Sequence, residues 1–228
     1  MTPAARAVVF DLDDTLYRIR RFTIAGYAAT SAVIAERTGR SRREVFCWLQ
    51  PTYRRGRAAT AYQDLCAACG LPPETAAEWL ARHRAHRRRL RLPRTSASAL
   101  AQLRRHGWRI GILTIGLPAI QRAKIDALDL APRVDAVVYA DELVEGGKPH
   151  AAVFARVLAD LGVPPEAAVM VGDHPVNDVA GGRQAGMRTG RIEGPGFPAP
   201  PPDEEADAVV ADVGKVPAIA ACLLGGTG

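Results

Sequence analysis

Apolar positions along the chain follow two regimes. Ala7 to Leu12 is a short apolar run, β-branched in part, that ends in acids and reads as a buried strand. Over residues 17–92 the apolar positions recur at helical spacing, with no convincing strand. Within that stretch Ser41-Arg42-Arg43-Glu44 has the spacing of a capping box ahead of Val45, Phe46, Trp48 and Leu49. Pro72-Pro73-Glu74 opens a further helix, which runs through Trp79 and Leu80 into an arginine cluster.

After Pro93 strands and helices alternate. Helices are predicted over 96–106, 118–128, 149–161 and 177–185, and strands over 109–114, 134–140, 168–172, 188–192 and 207–212. Alternation of this kind implies a parallel sheet with helices on both faces. The predicted architecture is therefore an α/β, Rossmann-like core made of residues 1–16 and 93–228, with an all-α insertion at 17–92. The Gly194–Pro202 stretch reads as a loop, since an apolar strand follows it too soon for a domain boundary. No internal repeat is visible.

The 228 residues are 48% hydrophobic, enough for one α/β core and a smaller appendage, and 24% charged, which argues against wholesale disorder. No apolar run approaches the roughly 20 residues of a membrane span. The apolar run after Met1 is too short for a signal peptide and meets acids at once, so a cytoplasmic protein is expected; monomer and homodimer both stay open. Of the four cysteines, Cys66 and Cys69 form a CxxC; with no second CxxC or paired histidines nearby, they are read as part of an Ala-rich helix. The net charge of +6 is nearly all arginine, since Lys124, Lys148 and Lys215 are the only lysines. That bias reads as genomic, though it favours an anionic substrate.

The run Arg82-His83-Arg84-Ala85-His86-Arg87-Arg88-Arg89 invites a nucleic-acid reading. Without interleaved aromatics it is read instead as a solvated helix face whose cations suit the helix dipole, or as arginines that meet a second anionic group of a substrate. No nucleic-acid partner is expected.

Chemistry gathers where open α/β sheets bind ligands, beyond the carboxyl ends of the strands. The first strand ends in Asp11-Leu12-Asp13-Asp14-Thr15, the next in Thr114-Ile115-Gly116. A helix start carries Gly146-Gly147-Lys148-Pro149, and a later strand ends in Gly172-Asp173, with Asp178 five residues on. Close carboxylates stay ionised together only beside a cation, and magnesium is the usual one next to phosphate. Such an ion and Lys148 would supply the positive charge that phosphoryl transfer needs. Asp11 can act as nucleophile and an acid two residues on as proton shuttle.

In this order the residues resemble the haloacid dehalogenase superfamily, in the branch with a helical cap between its first two motifs. The matches are Asp11-x-Asp13-x-Thr15, Thr114, Lys148-Pro149 with Phe154 beyond, and Gly172-Asp173 with Asp178, followed by Asn177-Asp178-Val179-Ala180-Gly181-Gly182 and Ala185-Gly186-Met187. The resemblance implies Asp11 as nucleophile and magnesium ligand. It implies Asp13 as acid and base, with its carbonyl on the metal, Asp173 as second carboxylate ligand, and Asp178 holding metal water and Lys148. Thr114 and Lys148 would bind the phosphoryl group, joined by the backbone N–H groups of Ile115 and Gly116. One departure stands out: this branch commonly has Asn where the chain has Ile115.

The expected activity is magnesium-dependent hydrolysis of a small-molecule phosphate monoester through an aspartyl-phosphate. A β-phosphoglucomutase-like phosphotransferase and a non-catalytic binding protein of the same fold stay open. Dehalogenases of the superfamily lack the second acid of the first motif, which Asp13 supplies here. His174 reads as loop structure. The cap is expected to move through linkers near Tyr17–Arg20 and Leu92–Thr95.

Overall fold

A computed structural model describes residues 5–54, 60–86, 90–193 and 205–225. The chain runs through β1 (Ala7–Phe10), α1 (Arg20–Thr38), α2 (Arg42–Arg54), α3 (Ala61–Ala68), α4 (Glu74–Ala85) and α5 (Arg94–Arg105). It continues through β2 (Arg109–Thr114), α6 (Pro118–Ala127), β3 (Ala136–Tyr139), α7 (Ala151–Leu161), β4 (Ala168–Gly172), α8 (Gly181–Gln184), β5 (Arg188–Ile192), β6 (Ala208–Val210) and α9 (Val216–Leu223). Two compact units result: Met1–Tyr17 with Arg91–Gly228, and Arg18–Leu90.

The first unit is the α/β one. Its six strands pair in the order β3-β2-β1-β4-β5-β6, all parallel. Central strands of such a sheet are covered on both faces and so read as unbroken apolar runs. All four residues of β1 are fully buried. Ala7 and Val9 share one cluster with Leu113, Phe154, Val157 and Met170, under α7. Val8 and Phe10 point to the other face by strand alternation, where α5 lies on β2 and against α9. The chain winds outward from β1 to β3, then crosses back to β4 beside β1. This reversal opens the crevice at the carboxyl ends of β1 and β4.

The strands fall within two residues of their predicted limits. Two elements differ more. Residues 175–180 form a wide π-helical turn that runs into α8, where a regular helix over 177–185 was expected. α9 was not foreseen: Val216–Leu223 is apolar at almost every position and shows no helical period.

The second unit packs Tyr27, Ile34, Val45, Leu49, Leu65 and Trp79 together. Its capping box is formed: Glu44 N–H donates to Ser41 Oγ at 3.2 Å and Ser41 N–H to Glu44 Oε2 at 2.7 Å. Cys66 is buried, Cys69 half-buried, and both are free thiols. Arg82 and Arg84 are exposed, as a solvated face requires. His83 is not on that face. It is buried and its Nδ1 lies 2.7 Å from the Tyr62 hydroxyl, because the helical period turns it inward. Arg87, Arg88, Arg89 and the Gly194–Pro202 loop lie outside the described residues.

Candidate active site

The sheet register builds the site. Phe10 pairs with Val171, and the ladder continues one bond further, Asp11 N–H to Val171 O at 2.8 Å. Asp11 therefore leaves the sheet beside Gly172, with Asp173 next. Asp178 closes the group from the turn after β4. One carboxylate oxygen each of Asp11, Asp173 and Asp178 lie within 4.8 Å of one another. Gly172 makes this approach possible, since a Cβ there would stand 2.1 Å from Asp178 Oδ2.

Lys148 enters from the loop before α7. Its Nζ donates to Asp11 Oδ1 at 2.8 Å and to Asp178 Oδ1 at 2.5 Å. Asp178 spends its other oxygen on His174 N–H at 3.0 Å, so it both neutralises the lysine and fixes the loop. The His174 ring caps the following turn: Nδ1 accepts from the N–H groups of Val176 and Asn177, both at 3.2 Å.

Burial decides the electrostatics. Asp11 is pushed up to about 7 by desolvation, which Lys148 only partly opposes and Asp178 and Asp13 add to. Asp173 is pushed up to about 7 by desolvation and then by Asp178 and Asp14. Desolvation disfavours the Lys148 ammonium, yet the two carboxylates outweigh it and hold its pKa above the ordinary lysine value. Three acids around one ammonium leave negative charge uncompensated. A hard divalent cation with oxygen ligands, such as magnesium, fits that donor set.

Asp13 does not join this cluster through its side chain. Lys124 Nζ lies 2.9 and 2.6 Å from its two oxygens, Gln121 Nε2 donates to Oδ2 at 3.0 Å, and the Tyr17 hydroxyl donates to Oδ1 at 2.6 Å. Burial and the nearby Asp13 hold the Tyr17 pKa well above the ordinary phenol value, so the hydroxyl keeps its proton. Thr114 is buried at the end of β2, and its Oγ1 accepts from Gln121 Nε2 at 2.5 Å.

The loop after β2 departs from expectation at Gly116. Gly116, with φ of 121°, gives its N–H to Asp141 Oδ2 at 2.7 Å, so this donor is already satisfied by a carboxylate. The Ile115 side chain is half-buried and packs on the apolar cluster under α7.

A family model described as haloacid dehalogenase-like hydrolase matches residues 5–186. The chain belongs to that family. A relative named phosphoserine phosphatase, from Thermus thermophilus, is 32% identical over 191 residues, 84% of this chain and 74% of the relative. One named glyceraldehyde 3-phosphate phosphatase, from Methanopyrus kandleri, is 34% identical over 198 residues, 82% of this chain and 83% of the other. Among solved structures, a 2-haloacid dehalogenase from Pseudomonas syringae aligns with a TM-score of 0.66 at 25% identity, covering 96% of this chain and 99% of that one. A haloacid dehalogenase-type phosphatase from Thermococcus onnurineus aligns at 0.63 and 24% identity, covering 94% and 97%. The protein is thus a hydrolase of the haloacid dehalogenase-like family, with its α/β fold, and has phosphatases among its relatives.

Within this family frame, the sequence motifs brought together Asp11, Asp13, Thr114, Lys148, Asp173 and Asp178. They did not disclose Tyr17, Gln121, Lys124 or Asp141. The sequence shows only that Lys124, Lys148 and Lys215 are the three lysines of an arginine-rich chain; the structure buries the first two at the site and leaves Lys215 exposed. A compact ammonium fits where a planar guanidinium does not. Among the described residues no helix is long and apolar enough to cross a membrane.

Proposed function

We propose that the protein is a magnesium-dependent phosphatase that hydrolyses a small-molecule phosphate monoester through a phosphoryl-Asp11 intermediate. The observation carrying this reading is the buried Asp11 carboxylate at the end of β1, with Lys148 at 2.8 Å and the oxygens of Asp173 and Asp178 within 4.8 Å. The named phosphatase relatives support the same reaction class. Two of them name phosphoserine and glyceraldehyde 3-phosphate, both small phosphate esters.

In this reading Asp11 attacks phosphorus, the ester P–O bond breaks, and the Asp13 carboxyl gives its proton to the leaving oxygen. Water then attacks the phosphoryl group, passes a proton to Asp13, and releases phosphate with Asp11 regenerated. Asp11, Asp173 and the Asp13 carbonyl would hold the magnesium ion, which supplies positive charge to offset that of the phosphoryl oxygens. Asp178 keeps Lys148 charged and in place.

Thr114 accepts from Gln121, so its hydroxyl hydrogen is available to a phosphoryl oxygen. Lys148 and the Ile115 N–H complete the phosphate site. Gly116 N–H would join only by exchanging Asp141 for a phosphoryl oxygen. The helical unit of residues 18–90, inserted directly after the Asp11–Thr15 motif, is read as the cap domain of this branch. No nucleic-acid partner enters this reading.

The test is phosphate release from a panel of small phosphate esters, including phosphoserine and glyceraldehyde 3-phosphate, with and without magnesium. Wild type is expected to release phosphate only with the metal, and Asp11→Asn to be inactive. Asp11→Asn retaining wild-type turnover, or a folded wild type inert on the whole panel with magnesium, overturns the reading.

A further inference from the structure

Strands β2 and β3 end in register, with Thr114 opposite Tyr139. Two residues further along each chain the ladder has ended, and a side chain takes its place. Asp141 Oδ2 accepts the Gly116 N–H at 2.7 Å. Gly116 gains most from such a restraint, because its φ of 121° lies where glycine moves freely.

The same oxygen borders a second segment. A Cβ on Gly147 would stand 3.3 Å from Asp141 Oδ2, 3.4 Å from Ile115 Cγ1 and 3.0 Å from Ala140 Cβ. Gly147 has a φ of 61° and directly precedes Lys148. Its missing side chain lets the Lys148 segment close on Asp141 and Ile115. Glu142, next in the turn, holds Arg122 of α6 through both carboxylate oxygens, at 2.5 and 2.8 Å. The turn after β3 is thus fastened to α6 and carries Asp141 to the junction of loop 114–116 with the Lys148 segment.

An acceptor at a strand end is ordinarily explained as satisfying an orphan N–H. Asp141 is half-buried, so water could do as much. Water would not hold the Ile115–Gly116 peptide in one orientation. A carboxylate on a fastened turn does.

We propose that Asp141 is a positioning residue for the phosphate site. It keeps the Gly116 N–H for itself, and so fixes loop 114–116 with the Thr114 hydroxyl and the Ile115 N–H presented together to a phosphoryl group. The inference rests on the phosphatase reading above. A carboxylate that merely competed with phosphate would predict the opposite: its removal would free a donor, lift a negative charge and tighten phosphate binding. Removal of a positioning residue loosens the loop, and phosphate must then order it on binding.

The experiment titrates inorganic phosphate into wild type, Asp141→Ala and Asp141→Asn by calorimetry at saturating magnesium, with magnesium titrated separately. Asp141→Ala is expected to weaken phosphate about tenfold, the size of one hydrogen bond to a charged group. Its magnesium affinity should stay within about twofold, since Asp141 supports no metal ligand. Asp141→Asn, whose side-chain carbonyl still accepts from Gly116, should restore phosphate affinity to within about threefold of wild type. On an ester that wild type hydrolyses, Asp141→Ala should raise KM by more than it lowers kcat. Unchanged or tighter phosphate binding in Asp141→Ala, an equal weakening in Asp141→Asn, or a parallel loss of magnesium affinity overturns the proposal. If Asp141→Ala shows no cooperative thermal transition, Asp141→Ser decides, because its oxygen stands where the Asp141 Cγ stood, one bond short of Gly116. It should lose phosphate affinity as well, and wild-type affinity in it overturns the proposal. A wild type that binds phosphate but hydrolyses no ester is a failure of the phosphatase reading, and the phosphate titrations still decide the role of Asp141. A wild type that binds no phosphate with magnesium present overturns both.

Discussion

Lys148 Nζ stands 2.5 Å from Asp178 Oδ1, and both side chains are 1% exposed. The pair also anchors the ends of the site, since Lys148 reaches Asp11 and Asp178 reaches the His174 backbone. In a dry setting a charge is tolerated only while its partners remain. The ion pair is therefore both a structural joint and the means by which a cation is kept beside Asp11.

Replacing Asp178 by Asn keeps the shape and an acceptor for His174 N–H, but removes one counter-ion from Lys148. Breaking a buried pair costs ~3–5 kcal/mol. Asp11 still faces Lys148, and the repulsion that Asp178 exerts on Asp11 and Asp173 is relieved. A loss of about 2 kcal/mol in urea unfolding is expected, with magnesium affinity down at least about tenfold by titration calorimetry. An unchanged magnesium affinity would contradict this role.

The raised carboxyls make a pH prediction. Asp11 and Asp173 rise from an ordinary 3.8 to about 7 in the metal-free fold. Between those values the folded protein binds more protons than the unfolded chain, so their contribution to stability is present below about pH 4 and lost as pH rises to 7. Metal-free wild type should therefore lose ground against Asp11→Asn in thermal unfolding from pH 4 to 7. In the proposed reading magnesium is held by the ionised carboxylates, so the rise in Tm on adding it should be larger at pH 7.5 than at pH 5. A gain of wild type over the variant across the same range would refute the assignment.

Ile115 occupies the position where the related branch commonly has Asn. Because its side chain packs on the apolar cluster under α7, Ile115→Asn should cost about 1–2 kcal/mol of stability through lost burial and an amide facing apolar neighbours. Denaturant unfolding measures the loss. No gain in kcat/KM is expected, and a tenfold increase would show that the side chain faces substrate instead.

Much of the site was legible in the sequence because strand ends are legible. Short apolar runs closed by Asp11, Thr114 and Asp173 fix where those side chains leave the sheet, and parallel alternation places all of them on one edge. Asp178 and Lys148 followed from motif spacing. The helical content of 17–92 and the capping box at Ser41 and Glu44 were also visible, since each depends on residues close in the chain.

What the sequence left undecided depends on side chains meeting across distance. Gln121 and Lys124 lie more than a hundred positions from Asp13, and nothing in the local pattern of α6 says that this face turns toward β1. The Gly116 N–H looked available until Asp141, on a segment after β3, was brought against it. His83 looked like part of a charged surface until the packing of its helix turned it to Tyr62. Local sequence determines which backbone forms and where the strands end, because those choices are made by neighbours along the chain. Only the tertiary structure decides which donor satisfies which acceptor, because that depends on the register between strands and on the rotation of each helix against the sheet.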